Sequence, residues 1–197
     1  MKDRNDQATE LPILLFETPA AWAAWLAESH AAAPGLWLRL AKKTADLNSI
    51  TYSEALEEAL CYGWIDGQKK SYDDQSWLQK FTPRSPQSIW SKVNRQKAEQ
   101  LIGSGRMKPA GLAAIERARQ NGRWDAAYDS ATTATVPADF QAELDKNPQA
   151  AAFFATLNGT NRYAILFRIQ TAKKAETRTR RIQQFIGMLA RGEKLYP

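Results

Sequence analysis

The chain has 197 residues, 44% hydrophobic and 24% charged, with a formal net charge of +6. That length can bury one sizeable core or two small ones, while a single cysteine and a single histidine exclude a disulfide framework and leave no His/Cys zinc site. No apolar run reaches the roughly eighteen residues that span a bilayer, and MKDRNDQATELPILLF lacks a signal-peptide core and cleavage site, so a cytoplasmic protein without a membrane span is expected.

The charge is unevenly placed. Residues 1–105 hold 12 Lys and Arg against 13 Asp and Glu, and residues 106–197 hold 15 against 8. The basic excess is C-terminal, which fits either an anionic partner for that half or a solvated helical surface.

Residues 1–10 are polar and are expected to fray. Pro12–Phe16 is a short apolar run that predicts a strand. Thr18-Pro19 gives an N-cap followed by proline at the first helical position, and the helix is expected to run to about Ala33, before Pro34-Gly35. Trp22, Trp25 and Leu26 share its apolar face. His30 flanks that face with no second ligand or acid nearby in sequence, so a solvated or satisfied histidine is expected. Leu36, Leu38 and Leu40 alternate with Trp37, Arg39 and Ala41, a strand pattern. A second helix is predicted after Ser53, with Ala55, Leu56, Ala59 and Leu60 on its buried stripe and Cys61 turned away from it toward solvent or a cleft.

Two short aromatic strands follow, about Trp64–Ser71 and Ser76–Thr82, joined at Asp73-Asp74-Gln75 as a hairpin. Trp77, Gln79 and Phe81 share one face; Leu78, Lys80 and Thr82 share the other. Pro83–Pro86 makes an elbow before a helix predicted over Gln87–Ile102, in which Lys97 stands in an apolar stripe, its stem able to snorkel. Gly103-Ser104-Gly105 ends that helix and is the expected domain boundary. Further helices are predicted over Pro109–Gln120, from Pro137, from Pro148, over Asn161–Thr171 and over Ala175–Ala190. Trp124–Thr135 reads as a wrapping loop.

The stretch Cys61–Asn94 concentrates rings beside charges. Trp64, Trp77 and Trp90 could wall a pocket into which Asp66, Arg84, Asn94 and Lys97 converge. The same residues also describe a structural Asp66–Arg84 ion pair with the tryptophans as packing. Cys61 would serve as a nucleophile only with a base or cation beside it. Asp73-Asp74 is better explained by turn chemistry than by a cation, lacking the oxygen count of a calcium loop. No phosphate-cradling glycine loop, Gly-x-Ser-x-Gly elbow or His-Glu-x-x-His is present, so no cofactor and no metal are expected. Lys173, Lys174, Arg178, Arg180 and Arg181, with Arg168 nearby, could lie on nucleic-acid phosphates. Arg178, though, falls in line with the apolar stripe Ile182, Phe185, Ile186 and Leu189, as though reaching to another helix.

Two stretches carry a resemblance: SEALEEALCYGWIDGQKKSYDDQSWLQKFTPRSPQSIWSKVN and RYAILFRIQTAKKAETRTRRIQQFIGMLARGEK. The chain resembles the YdeI/OmpD-associated (OmdA, bacteriocin-protection) family over about Phe16–Lys194. Trp64, Asp66, Phe81, Thr82, Pro83, Arg84, Trp90 and Asn94 match that family's run. The resemblance implies an α+β N-terminal half, a C-terminal helical hairpin over about 140–197, and a link to tolerance of bacteriocins, antimicrobial peptides and envelope stress. It implies no catalytic residues.

The expected fold is α+β: an antiparallel sheet packed on helices over residues 1–105, then a basic all-helical region over 106–197. Three functional readings stand at this point. They are a protein binding a small molecule or peptide in the Trp-lined cleft, a nucleic-acid or anionic-surface module working through the C-terminal basic turn, and an enzyme using Cys61 or Asp66.

Overall fold

The computed structural model describes residues 10–197. Nearly all of the N-terminal tail expected to fray lies outside those residues. The elements are β1 (Ile13–Leu14), α1 (Pro19–Ser29), β2 (Leu36–Ala41), α2 (Tyr52–Cys61), β3 (Trp64–Ser71), β4 (Ser76–Pro83), α3 (Lys92–Gly103), α4 (Pro109–Gln120), α5 (Ala138–Asp145), α6 (Pro148–Thr156), α7 (Gly159–Gln170) and α8 (Ala175–Ala190). The fold class is α+β. Two compact units form among the described residues: residues 10–88 together with Gln96–Trp124, and Ile89–Arg95 together with Asp125–Pro197. Residues 106–124, including α4, therefore group with the sheet and not with the C-terminal helices.

In the first unit the sheet order is β1-β2-β4-β3. The sheet is mixed, because β1 pairs parallel to β2; the intervening α1 carries the chain back to the starting end, as a parallel pair requires. The β2–β4 and β3–β4 pairs are antiparallel. Register sets Leu36, Leu38 and Leu40 opposite Phe81, Gln79 and Trp77 on one face, here the inner face, and Trp37 and Arg39 opposite Lys80 and Leu78 on the outer face.

The inner face is covered by α1 and α2. Thr18 caps α1 by accepting from Ala21 N at 3.2 Å, and the helix ends at Ser29, a turn earlier than its apolar pattern suggests. Trp22 and Leu26 are fully buried. The Trp22 ring lies 5.4 Å from Trp25, 6.3 Å from Trp64 and 5.9 Å from Phe81, and its Nε1 donates to Ala55 O at 3.1 Å. One indole thus satisfies its polar atom while joining α1, α2 and the sheet.

Helix α2 begins after Thr51, not after Ser53. Glu54 N donates to Thr51 Oγ1 at 3.3 Å, and Thr51 N donates to Glu54 Oε2 at 2.8 Å. Only Thr51 has a glutamate three residues on, so only it can close this reciprocal cap. Helix α3 likewise starts at Lys92, later than Gln87. The Trp90 carbonyl accepts from Tyr128 N and Lys92 N donates to the Tyr128 carbonyl, so this segment pairs as a bridge, and Ser91 Oγ then accepts from Asn94 N at 3.1 Å as the cap.

Two glycines let α4 approach α2. Gly63 has φ +73°, and a Cβ there would sit 2.8 Å from the Ala110 carbonyl oxygen. At Gly111 a methyl group would overlap the Cys61 carbonyl oxygen and the Met107 sulfur.

The second unit has its own core, built from Phe140, Leu144, Phe154, Ile165, Ile169, Ile182, Phe185 and Leu189. Asn147 and Asn158 cap α6 and α7, accepting from Ala150 N at 3.0 Å and Asn161 N at 2.9 Å; the second cap is why α7 starts at Gly159, ahead of Asn161.

Candidate functional site

The hairpin places Trp64, Asp66 and Trp77 on the inner face, where they meet different surroundings. Trp64, opposite Pro83, is 1% exposed. It stands edge-on to Trp22 and Trp25, and its Nε1 donates to the His30 carbonyl at 3.2 Å. Asp66, opposite Phe81, accepts from the Tyr52 hydroxyl at 2.8 Å. Trp77, at the far end, is half-buried, with the Tyr52 ring 6.2 Å away.

Between Asp66 and Lys69 the register slips. Gly67 and Gln68 form the bulge, and the buried Gln79 holds it by donating Nε2 to Gly67 O at 2.9 Å and Gln68 O at 3.3 Å. The extra residue inverts the alternation: Lys69 and Ser71 come to the inner face opposite Gln79 and Trp77, while Lys70 goes to the outer face opposite Leu78. Lys42, one step beyond β2, is tied to the turn before β4 by its N–H to Gln75 O at 2.8 Å.

These displacements create a concavity of about 380 Å³ lined by Lys42, Lys69, Lys70, Ser71 and Trp77. Its lining carries three lysines and no carboxylate. Asp73, in the turn that Lys42 reaches, is engaged by its own partners. It accepts from the Ser76 hydroxyl at 2.7 Å, from Gln75 N at 2.9 Å and from Arg39 Nη2 at 2.7 Å. The Ser76 hydrogen bond, backed by Gln75 N–H and Arg39, holds its carboxyl below the ordinary value of 3.8. Lys42 Nζ donates to the Asp73 carbonyl at 2.7 Å, which holds the tip of that side chain at the turn. A half-buried indole in a space lined by lysine side chains and no carboxylate suits an anionic group carried on a ring.

The other sequence candidates lie elsewhere. Arg84, just past β4, is buried, and its N–H donates to Gly63 O at 2.9 Å. Trp90 and Asn94 belong to the second unit, Trp90 being 2% exposed. Lys97 Nζ pairs with Glu57 Oε1 at 3.1 Å and with Ser53 Oγ at 3.4 Å. Glu57 also receives Arg106 at 3.0 Å; although burial pushes the Glu57 carboxyl up, hydrogen bonds from Lys97 and Arg106 outweigh it and lower its pKa. Lys97 is thus part of a clamp of α3 on α2.

Cys61 was expected near solvent and is instead 1% exposed. Burial, with Glu58 beside it, pushes the thiol up to about 11. The α4 seat at Gly111 lies against the Cys61 carbonyl, and a thiol protonated at neutral pH is a poor nucleophile. His30 is satisfied, its Nδ1–H donating to Leu26 O at 2.7 Å. Among the described residues no group of acids, histidines and cysteine could hold a metal ion.

In the second unit the basic cluster divides. Arg178 donates Nε and Nη2 to the Asp139 carboxylate at 2.6 and 2.8 Å, and Nη1 to the Ile169 carbonyl at 2.9 Å. It thereby joins α8 to α5 and closes the end of α7, as its place in the apolar stripe suggests. Arg181 donates to the Arg168 carbonyl. Lys173, Lys174 and Arg180 are exposed.

Sequence reasoning put Trp77 in a site but missed Lys42 and Lys69. The signal that could have found Lys69 is Gly67: an isolated glycine inside a strand pattern marks a bulge, and a bulge changes which following lysine faces in.

Comparison with known families fits this division. Residues 14–114 match the family described as Domain of unknown function (DUF8412). The chain belongs to this family. Residues 133–192 match the family Bacteriocin-protection, YdeI or OmpD-Associated (OmdA). No curated protein and no solved structure matches the chain. The DUF8412 stretch contains every residue lining the concavity, and the OmdA stretch covers α5 to α8. No helix among the described residues is long and apolar enough to cross a membrane.

Proposed function

We propose that this protein works in a bacteriocin-protection or envelope-stress context as a cytoplasmic binding protein. It takes an anionic, ring-bearing small molecule, or an acidic peptide segment, into the DUF8412 concavity. The observation that supports this most is the lining: Lys42, Lys69 and Lys70 around Trp77, with no carboxylate among them. Lys42 and Lys69 bring positive charge to this rim, which a bound anion would offset, while Lys70 lines it with its stem and keeps its ammonium over Trp37 on the outer face. Ser71 offers a hydroxyl for orientation, and Trp77 offers a flat wall with Tyr52 beside it.

The sign of the site also argues about mechanism. Direct capture of a cationic peptide would add positive charge to a positive concavity, so protection through this site works on an anionic metabolite or cell component. Chemistry at Cys61 is disfavoured by its closure and its raised pKa.

Phenyl phosphate and phenol form the test pair. Phenyl phosphate should raise the melting temperature in a concentration-dependent way, phenol should not, and Lys69→Glu should remove the shift. Equal responses to the two compounds, or none to either, would sink the reading.

A further inference from the structure

The outer face of the sheet carries a second arrangement, which shares only Lys70 with the lining of the concavity. Trp37 on β2 stands opposite Lys80 on β4, and Arg39 stands opposite Leu78, which in turn pairs with Lys70 on β3. Leu78 is fully buried beneath this layer, while Trp37 and Arg39 are half-buried and Tyr72 is 48% exposed. The polar groups of the layer are arranged on rings. Lys70 Nζ lies 4.3 Å from the Trp37 ring centroid and Lys80 Nζ 6.0 Å from it, while the Arg39 guanidinium carbon lies 5.3 Å from the Tyr72 centroid.

Two cation–aromatic sets thus stand side by side on a sheet face, with α1 and α2 packed on the opposite face. Asp73 lies at the margin, paired with Arg39 at 2.7 Å, which anchors that guanidinium under Tyr72. Among the described residues the ammonium groups of Lys70 and Lys80 lie on the face of the Trp37 indole, a contact worth little at an exposed site. Their ammonium groups can leave it for a phosphate at small cost, and the ring they uncover then accepts a flat heterocycle. A repeating polymer of flat base and phosphate matches both halves of this exchange.

We infer that the outer face of the sheet binds short single-stranded nucleic acid. Bases stack on Trp37 and Tyr72, and Lys70 and Lys80 move from the indole to the phosphates. Duplex is disfavoured because its base faces are already stacked on one another. An acidic peptide would satisfy the lysines but leave both rings unused.

The test is fluorescence anisotropy of the full chain with labelled decathymidylate and decauridylate, a matched duplex, and a polyglutamate peptide of equal charge. The single strands should bind more tightly than duplex or peptide. Two lysines on phosphates give a log–log salt slope of about −1.4, from roughly 0.7 per neutralised phosphate on a single strand. Lys80→Glu should weaken binding and flatten that slope to about −0.7. Trp37→Ala and Tyr72→Ala should each weaken binding by about tenfold, while Trp37→Phe retains most of it, guarding against a folding artefact. The inference is overturned by no binding at about 100 μM protein in low salt, by duplex or polyglutamate binding as tightly, or by Trp37→Ala binding like wild type. It is also overturned if Lys173→Glu with Lys174→Glu abolishes binding that Trp37→Ala leaves intact, since the C-terminal basic turn would then be the site. Lys70 lines the concavity as well, but Trp37 and Tyr72 do not, so Trp37→Ala and Tyr72→Ala should leave the phenyl phosphate response intact and the two tests fail separately.

Discussion

Trp64 and Trp77 sit on the same face of the same hairpin and have opposite fates. Trp64 is 1% exposed within a cluster of rings supplied by α1. Trp77 is half-buried among lysines, with one tyrosine beside it. The strands carry both residues in the same way; the helices do not cover them equally. Helix α2 begins at Tyr52, the residue that reaches Trp77 and Asp66, and the inner face beyond it is left to long charged side chains. A tryptophan becomes core or site according to where its covering helix starts.

The largest effects should separate the two ends. Trp64→Ala should cost about 3–5 kcal/mol in denaturant unfolding, the usual range for emptying a fully buried large aromatic site. Trp77→Ala should cost about 1 kcal/mol, in proportion to partial burial, while abolishing the phenyl phosphate response. Equal losses from the two variants would erase the contrast. Next, Gly111→Val should cost about 1–3 kcal/mol by overpacking the α2–α4 seat, yet leave ligand affinity unchanged in the folded protein. A change in affinity would mean that the covered end and the open end are mechanically linked.

Thr51→Ala tests the boundary between them. It removes the α2 cap and should cost about 1 kcal/mol, with a small loss of phenyl phosphate affinity because Tyr52, the next residue, positions Asp66 and flanks Trp77. The smallest effect is expected in the second unit, at Arg178 and Asp139. Hydrogen bonding from Arg178 holds the Asp139 carboxyl below its ordinary 3.8. A depressed carboxyl contributes stability above its unfolded value and loses it as pH falls through the lower folded value. Arg178→Met should therefore lose up to about 1 kcal/mol near neutral pH, the pair being partly exposed, and should show a shallower fall in stability below pH 3.8. Chemical melts of both proteins across that range would check it.

Most elements were readable because their periods are clean. The alternation of Leu36, Leu38 and Leu40, the hairpin faces at Trp77 to Thr82, and the stripe in α8 each repeat with one period. Arg178 was readable because a cation stood where an apolar residue was due. What was hidden depends on contacts between elements distant in sequence. Cys61 turns from its own helix's buried stripe and is still closed in the folded chain, Lys97 leaves the expected cleft for Glu57, and the side on which Lys69 and Lys70 emerge hangs on one bulge. The parallel β1–β2 pair was hidden too, since two residues of strand carry almost no pattern.

Cys61, the chain's single thiol, is closed and protonated in the folded state. Alkylating reagents should therefore pass over the native protein, and a cysteine placed at Gln68 or Tyr72 would take a spectroscopic label alone, next to either face of the hairpin. The same silence makes the native thiol a clock. Its slow modification records how often the closed end of α2 opens, so a trapping rate measured with and without ligand would report local opening in a protein that needs no engineering at all.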